Sequence, residues 1–83
     1  MITLRYFARL RETLGVGEER IDLPDGVTDV AALTRWLQAR SDTWRRALAD
    51  QRLRVAVNRQ IATSAAGIVD GDEIAWFPAV TGG

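Results

Sequence analysis

The chain has 83 residues, 47% hydrophobic and 27% charged, a composition typical of one globular domain with one modest core. Its eleven basic residues, all arginine, balance eleven acidic ones, so charge gives no reason to expect a nucleic-acid or membrane partner. The absence of cysteine and histidine excludes thiol and imidazole catalysis and the usual zinc and iron–sulfur ligands, and we expect no metal and a cytoplasmic location.

Three elements are predicted in the first part of the chain. Hydrophobic and polar side chains alternate over residues 2–7, as in a strand that leaves Phe7 on the face opposite its largest buried residues. Residues 8–14 favour a short helix ending at Gly15, since glycine readily takes the left-handed conformation of a helix cap. A second strand is predicted over residues 19–23, before a Pro-Asp-Gly turn.

The middle of the chain predicts the main helix. Thr28 is the expected N-cap, and Asp29 suits the positive end of the first turn. A second, short helix is predicted over residues 43–49, with Trp44 and Leu48 on its buried face because they are four residues apart. The apolar stripe of the main helix is marked by Val30, Leu33, Leu37 and Arg40.

Two strands and an edge segment are predicted in the last part. Residues 53–58 alternate as a strand, the Asn58-Arg59 pair favours a turn, and residues 61–62 suggest a short edge strand. Residues 69–72 read as a turn, and residues 73–77 form the last strand. We expect the inward side chains to be Leu53, Val55, Val57, Ile74 and Trp76, and the outward ones to be Arg54, Ala56, Ala75 and Phe77.

This order of elements predicts an α+β fold with a mixed sheet and one main helix across one of its faces. The first and last strands are expected side by side at the centre as a parallel pair. We divide the chain into a domain over residues 1–77 and a flexible tail over residues 78–83.

The sheet face without the main helix carries an apolar cluster. The predicted strand faces place Phe7 and Phe77 there, with Ala56 and Ala75 nearby, and Ile61 extends the cluster on the edge strand. Exposed apolar clusters usually mark a partner surface, so we expect a protein to dock on this face.

The sequence ends in Gly82-Gly83. Without a Cβ atom, such a tail can thread a narrow channel and adopt backbone angles that other residues avoid. The acidic pairs Asp70/Asp72 and Glu18/Glu19 are better explained as turn and solvent-facing residues than as catalytic carboxylates. The terminal carboxylate of Gly83 is therefore the leading candidate for any covalent chemistry.

Three blocks resemble the small subunit of molybdopterin synthase. Residues 6–12 (YFARLRE) with Gly15 resemble the opening of that family, and Val57-Asn58 resembles its third-strand end. Residues 70–78 (DGDEIAWFP), followed by the diglycine, are similar to its C-terminal signature. The chain departs from the family at Ala79, where a second proline is common, and at Thr81, where alanine or serine is frequent.

This resemblance implies a ubiquitin-like β-grasp fold and a sulfur carrier that is not an enzyme on its own and binds no cofactor. An adenylating enzyme would convert the Gly83 carboxylate to an acyl-adenylate, and a sulfur donor, such as a cysteine desulfurase or a rhodanese, would make a thiocarboxylate. The tail would then donate sulfur to cyclic pyranopterin monophosphate in the large subunit of a heterotetramer. The resemblance implies partner contacts by Phe7, Arg11, Ile61, Phe77, Pro78, Val80 and Thr81, with Gly82 and Gly83 as the reactive end.

Three alternatives remain open from the sequence. The first is a sulfur carrier for another pathway, such as thiamine thiazole synthesis. The second is a ubiquitin-like modifier conjugated through Gly83, and the third is a β-grasp interaction module with an inert tail. The opening block and the length argue against the thiamine pathway.

Overall fold

A computed structural model describes residues 1–79 of the chain. A five-stranded mixed sheet in these residues has the strand order β2-β1-β5-β3-β4. The elements are β1 (Ile2–Tyr6), α1 (Ala8–Leu14), β2 (Glu18–Ile21), α2 (Val30–Gln38), α3 (Asp42–Ala47), β3 (Leu53–Val57), β4 (Gln60–Ala62) and β5 (Glu73–Pro78). The central strands β1 and β5 are parallel and the other pairs are antiparallel, as the element order predicts.

The core lies between the sheet and its helices. The inward side chains of the two central strands are buried together with one face of α2, since hydrophobic residues recur there with the periods of a strand and a helix. The largest fully buried side chains are Ile2, Leu4, Tyr6, Leu33, Leu37 and Ile74. Leu48 and Trp44 also contact this core, which confirms the face predicted for the short helix.

The start of α2 differs from the prediction by one residue. Asp29, not Thr28, is the N-cap, because its Oδ1 accepts the Ala32 N–H at 2.8 Å from an extended backbone. The Thr28 carbonyl instead accepts the Ile68 N–H at 3.0 Å, which joins the helix entry to the loop before β5. The predicted placement of Arg40 on the helical stripe is wrong, since α2 ends at Gln38.

Arg40 belongs instead to a half-buried polar cluster at the edge of the core. Its guanidinium donates two hydrogen bonds to Glu19, at 2.8 and 3.0 Å, and lies over the ring of Trp44 at 4.6 Å. Tyr6 also donates to Glu19, at 3.0 Å, and stacks on Trp76 with ring centroids 5.6 Å apart. The Arg40 hydrogen bonds hold the pKa of Glu19 below its ordinary value, and burial raises that of Tyr6.

The predicted turns also form. Gly15 ends α1 with φ +75°, and Asn58 and Arg59 both take positive φ between β3 and β4. Asp72 holds the turn before β5, because its carboxylate accepts from Asn58 Nδ2 at 3.0 Å and from the Val69 N–H at 2.9 Å. None of the helices in residues 1–79 is long and apolar enough to cross a membrane.

Candidate functional site

The sheet face opposite the core, called the outer face below, is built from the alternate residues of β1, β5, β3 and β4. Residues paired across strands point to the same side of a sheet, so each registered pair places two side chains together. Arg5 pairs with Ala75, Ala75 with Ala56, and Ala56 with Ile61, which makes one continuous row across four strands. The two alanines are almost fully buried and give the middle of the row a flat floor.

The second row of the outer face carries the aromatic residues. Arg54 of β3 pairs with Phe77 of β5. Phe7 comes directly after the last registered pair of β1 and β5, and the Phe7 N–H donates to the Trp76 carbonyl at 3.2 Å. The side chains of Phe7 and Phe77 therefore project from neighbouring strands on one face, as the alternation predicts. Phe7 is 38% exposed and Phe77 is half-buried.

Ile61 is the most accessible apolar residue of the outer face. It is 70% exposed, although it lies in a strand whose partner residue Ala56 is buried. Leaving so much aliphatic surface in water has no benefit for folding, since burying it would stabilise the domain. Together with Phe7 and Phe77, it makes a patch with the character of the centre of a protein interface.

Two features beside Phe7 were not predicted from the sequence: the bend at Ala8 and the contact of the Arg5 guanidinium with the Phe7 ring. Ala8, the first residue of α1, has φ +53°, a left-handed conformation that is strained for alanine, so the chain bends sharply directly after the outward Phe7. The Arg5 guanidinium lies 5.1 Å from the Phe7 ring centroid and its Nε is 3.3 Å from Glu18. The alternation of β1 was enough to place Arg5 on the face of Phe7, but nothing local signalled the bend.

Arg11 lies away from the centre of the outer face. Its side chain covers Gly17, where a Cβ atom would come within 2.8 Å of Arg11 Nε, in the loop between α1 and β2. Because β2 and β4 are the two edges of the sheet, Arg11 and Ile61 lie at opposite sides of the domain. Arg11 is nevertheless only one helical turn after Phe7, because its N–H donates to the Phe7 carbonyl at 3.4 Å.

The base of the predicted tail leaves from the end of β5. Pro78 pairs with Leu53 as the last residue of the strand, one residue after the predicted domain boundary, and Ala79 donates its N–H to the Arg52 carbonyl at 3.2 Å. This position is next to Phe77 on the outer face. The predicted functional residues Val80, Thr81, Gly82 and Gly83 lie outside the described residues.

No group of three carboxylate, histidine or cysteine side chains that could hold a metal occurs within residues 1–79. What this part of the chain does carry is an apolar patch on the outer face that reaches the strand end from which the C-terminal residues continue, a surface of the kind that binds another protein.

Comparisons with known proteins agree with this architecture. The ThiS family matches residues 4–83. The molybdopterin synthase sulfur carrier subunit of Escherichia coli strain K12 is 40% identical over 83 residues, which cover 100% of both chains.

Two solved structures share the fold. A Pyrococcus furiosus protein described as a candidate molybdopterin converting factor, subunit 1, superimposes with a TM-score of 0.76 at 28% identity, covering 95% of this chain and 97% of that one. SAMP1 from Haloferax volcanii superimposes with a TM-score of 0.75 at 27% identity, covering 99% of this chain and 98% of that one. These matches confirm the α+β, ubiquitin-like β-grasp fold, and the chain belongs to the ThiS family, among the relatives of the molybdopterin synthase sulfur carrier subunit.

Proposed function

We propose that this chain is the sulfur-carrier subunit of a molybdopterin synthase and that the Gly83 carboxylate is its reactive group. The observation that carries the proposal is the position of the apolar patch. Phe7 and Phe77 lie beside the strand end that leads to the diglycine, and Ile61 extends the patch to the edge strand, so a protein docked on this face would be in place to take the tail. The full-length relationship to a molybdopterin synthase sulfur carrier subunit selects the pathway.

The chemistry begins with activation of a poor electrophile. A carboxylate resists nucleophilic attack because its oxygen is a poor leaving group. A partner adenylating enzyme would join the Gly83 carboxylate to the α-phosphate of ATP with release of pyrophosphate. The terminal sulfur of a donor protein's persulfide would then attack the carbonyl carbon and displace AMP, which gives an acyl disulfide between the two proteins. A thiol of the donor protein would reduce this S–S bond, forming a disulfide with the donor cysteine and releasing the C-terminal thiocarboxylate.

The second stage is delivery. The tail would enter the active site of the large subunit, where the thiocarboxylate sulfur would attack a carbon of cyclic pyranopterin monophosphate and displace an oxygen from it. Water would then cleave the acyl–sulfur bond, which returns Gly83 to a carboxylate and leaves the sulfur on the pterin. The glycines suit both stages, because the absence of Cβ atoms leaves the carbonyl carbon open from either side and lets the backbone fit a narrow channel. The domain itself would orient the tail and would contribute no acid, base or metal to the reaction.

The decisive experiment is the intact mass of the chain after incubation with a molybdenum-cofactor adenylating enzyme, ATP and a sulfur source. We expect a mass gain equal to the replacement of one oxygen by sulfur, and no gain in a variant that lacks Gly83. The modified chain, mixed with the large subunit and cyclic pyranopterin monophosphate, is then expected to form molybdopterin. Molybdopterin formation by the variant without Gly83 would overturn the proposal.

The similarity to SAMP1, which is a small archaeal modifier protein, supports one alternative: a modifier joined through Gly83 to lysines of other proteins. The chain contains no lysine, so it could not be extended on itself through an isopeptide bond. A blot of cell extract against the chain separates the two functions. Slower-migrating conjugates that disappear when Gly83 is deleted would favour the modifier, whereas a single free band favours the carrier.

A further inference from the structure

A second surface borders the base of the tail, on the core side of the sheet. It is a groove of about 540 Å³ between α1 and α3, called the arginine groove below, and it extends to Pro78 and Ala79. We propose that the arginine groove receives an acidic segment of the synthase large subunit, in addition to the contact on the outer face. This inference rests on the proposed function and extends it to a second contact.

The floor of the groove is apolar and its rim is cationic. Leu10, which is buried in the core, and Leu53, the first residue of β3, lie beneath it. Three arginines, Arg9, Arg46 and Arg52, line it against one carboxylate, Asp50, which leaves an excess of two positive charges. The whole chain is neutral, so this excess is a local property of the surface around the tail.

The ion pairs around the groove do not neutralise its excess positive charge. Asp50 accepts the Arg52 N–H at 2.9 Å and lies 3.3 Å from Arg52 Nε, contacts that hold its pKa below the ordinary value and keep it ionised. Arg46 is 3.6 Å from Asp42, a carboxylate that Arg45 already contacts at 2.8 Å. Arg9 makes no ion pair with any residue among 1–79.

The position of the groove explains why the large subunit would meet it. Ala79 lines the groove while its N–H donates to the Arg52 carbonyl, and the neighbouring Phe77 belongs to the outer face. The groove and the outer face therefore flank the same strand end from opposite sides of the sheet. A protein that encloses the residues after Ala79 has to approach both surfaces.

The size of a typical protein interface also favours a second contact. A stable protein complex buries roughly 800 Å² on each partner, which is about 15% of the 5367 Å² accessible surface of this chain. Phe7, Phe77 and Ile61 can supply the apolar centre of such an interface but not its whole extent. An interface of this size has a polar rim around its apolar centre, and an excess of positive charge favours carboxylates on the opposing surface.

The test is association of the purified chain with the large subunit at about 50 mM and about 500 mM salt, followed by stopped-flow fluorescence. We expect Arg9→Glu to lower the association rate about tenfold at low salt, and Arg9→Glu/Arg46→Glu to lower it further. The difference from the wild type is expected to shrink at high salt, because salt screens exposed charges. Glutamate at position 9 lies in the first turn of α1, where a negative charge suits the helix, so the fold is expected to be retained.

Arg35→Glu is the matched control. Arg35 is exposed on α2, does not line the groove, and its reversal changes the net charge by the same amount. An equal loss in Arg35→Glu, or a wild-type rate in Arg9→Glu, would overturn the proposal.

Thiocarboxylate formation separates this inference from the proposed function. We expect Arg9→Glu to gain sulfur as the wild type does in the mass assay with the adenylating enzyme. A comparable defect there would show general electrostatic steering and would also overturn the groove assignment. If the wild type gained no sulfur and did not bind the large subunit, the proposed function itself would fail.

Discussion

Removing the side chain of Ile61 tests the outer face with little effect on the fold. Burying a whole isoleucine side chain is worth about 1.5–3 kcal/mol, and Ile61 still exposes 70% of its surface in the free chain. A partner that covers this remainder gains about 1–2 kcal/mol from it. We therefore expect Ile61→Ala to weaken binding of the large subunit by about 5- to 30-fold. The free energy of unfolding is expected to change by less than about 0.5 kcal/mol.

Isothermal titration calorimetry against the purified large subunit measures this loss, and urea denaturation of the free chain measures stability. Val69→Ala is the matched control, because Val69 is 65% exposed but lies in the turn before β5, at the opposite end of that strand from Pro78. We expect this variant to bind as the wild type does. Equal affinities of the two variants would refute the reasoning, since exposure alone, rather than position on the outer face, would then explain any effect.

Two further predictions concern the stability of the domain. Glu19→Gln weakens two charge-assisted hydrogen bonds from Arg40, so we expect a loss of roughly 1–2 kcal/mol at pH 7 in urea denaturation. Because the folded-state pKa of Glu19 is lowered, its contribution is present above the unfolded pKa and is lost as the pH falls through the folded one, so the wild type and variant should converge in acid. Gly15→Ala forces an alanine to φ +75° where nothing lies within 4 Å of its Cβ, and a loss of roughly 1–2 kcal/mol is expected from backbone strain alone. An unchanged thermal midpoint in that variant would contradict the strain argument.

The central strands and their faces could be predicted because their alternation is local. In β5, a period of two is enough to put Ile74 and Trp76 on one face and Ala75 and Phe77 on the other. The register of the strand is then fixed because one of its faces is buried in the core. The N-cap of α2 was missed by one residue because two adjacent residues can both cap a helix. Thr28 instead accepts the Ile68 N–H through its backbone carbonyl, a contact that spans forty residues and cannot be inferred from the local sequence. The pairing of Arg40 with Glu19 was missed for the same reason.

The candidate site divides in a similar way. Phe7 and Phe77 were placed on one face from alternation, and the predicted edge strand put Ile61 beside them, although its role in partner binding rested more on the resemblance to a known family. The arginine groove left no sequence signal, because Arg9, Arg46 and Arg52 come from three separate segments that meet only when α1 packs beside α3. No sequence periodicity connects these three arginines, and in the sequence each one is indistinguishable from an ordinary solvent-exposed arginine.

The two faces of the sheet allow binding and stability to change independently. Leu4 and Ile74 hold the core side, while their neighbours Arg5 and Ala75 face outward, so one strand pair serves both purposes through alternate residues. Under the proposed function the chain would bind an adenylating enzyme, release it and bind the large subunit, so its outer side chains would have to suit both partners without loss of the fold. The central position of β1 and β5 meets this requirement, because each pairs with a strand on both sides through its backbone, while alternate side chains project from the outer face.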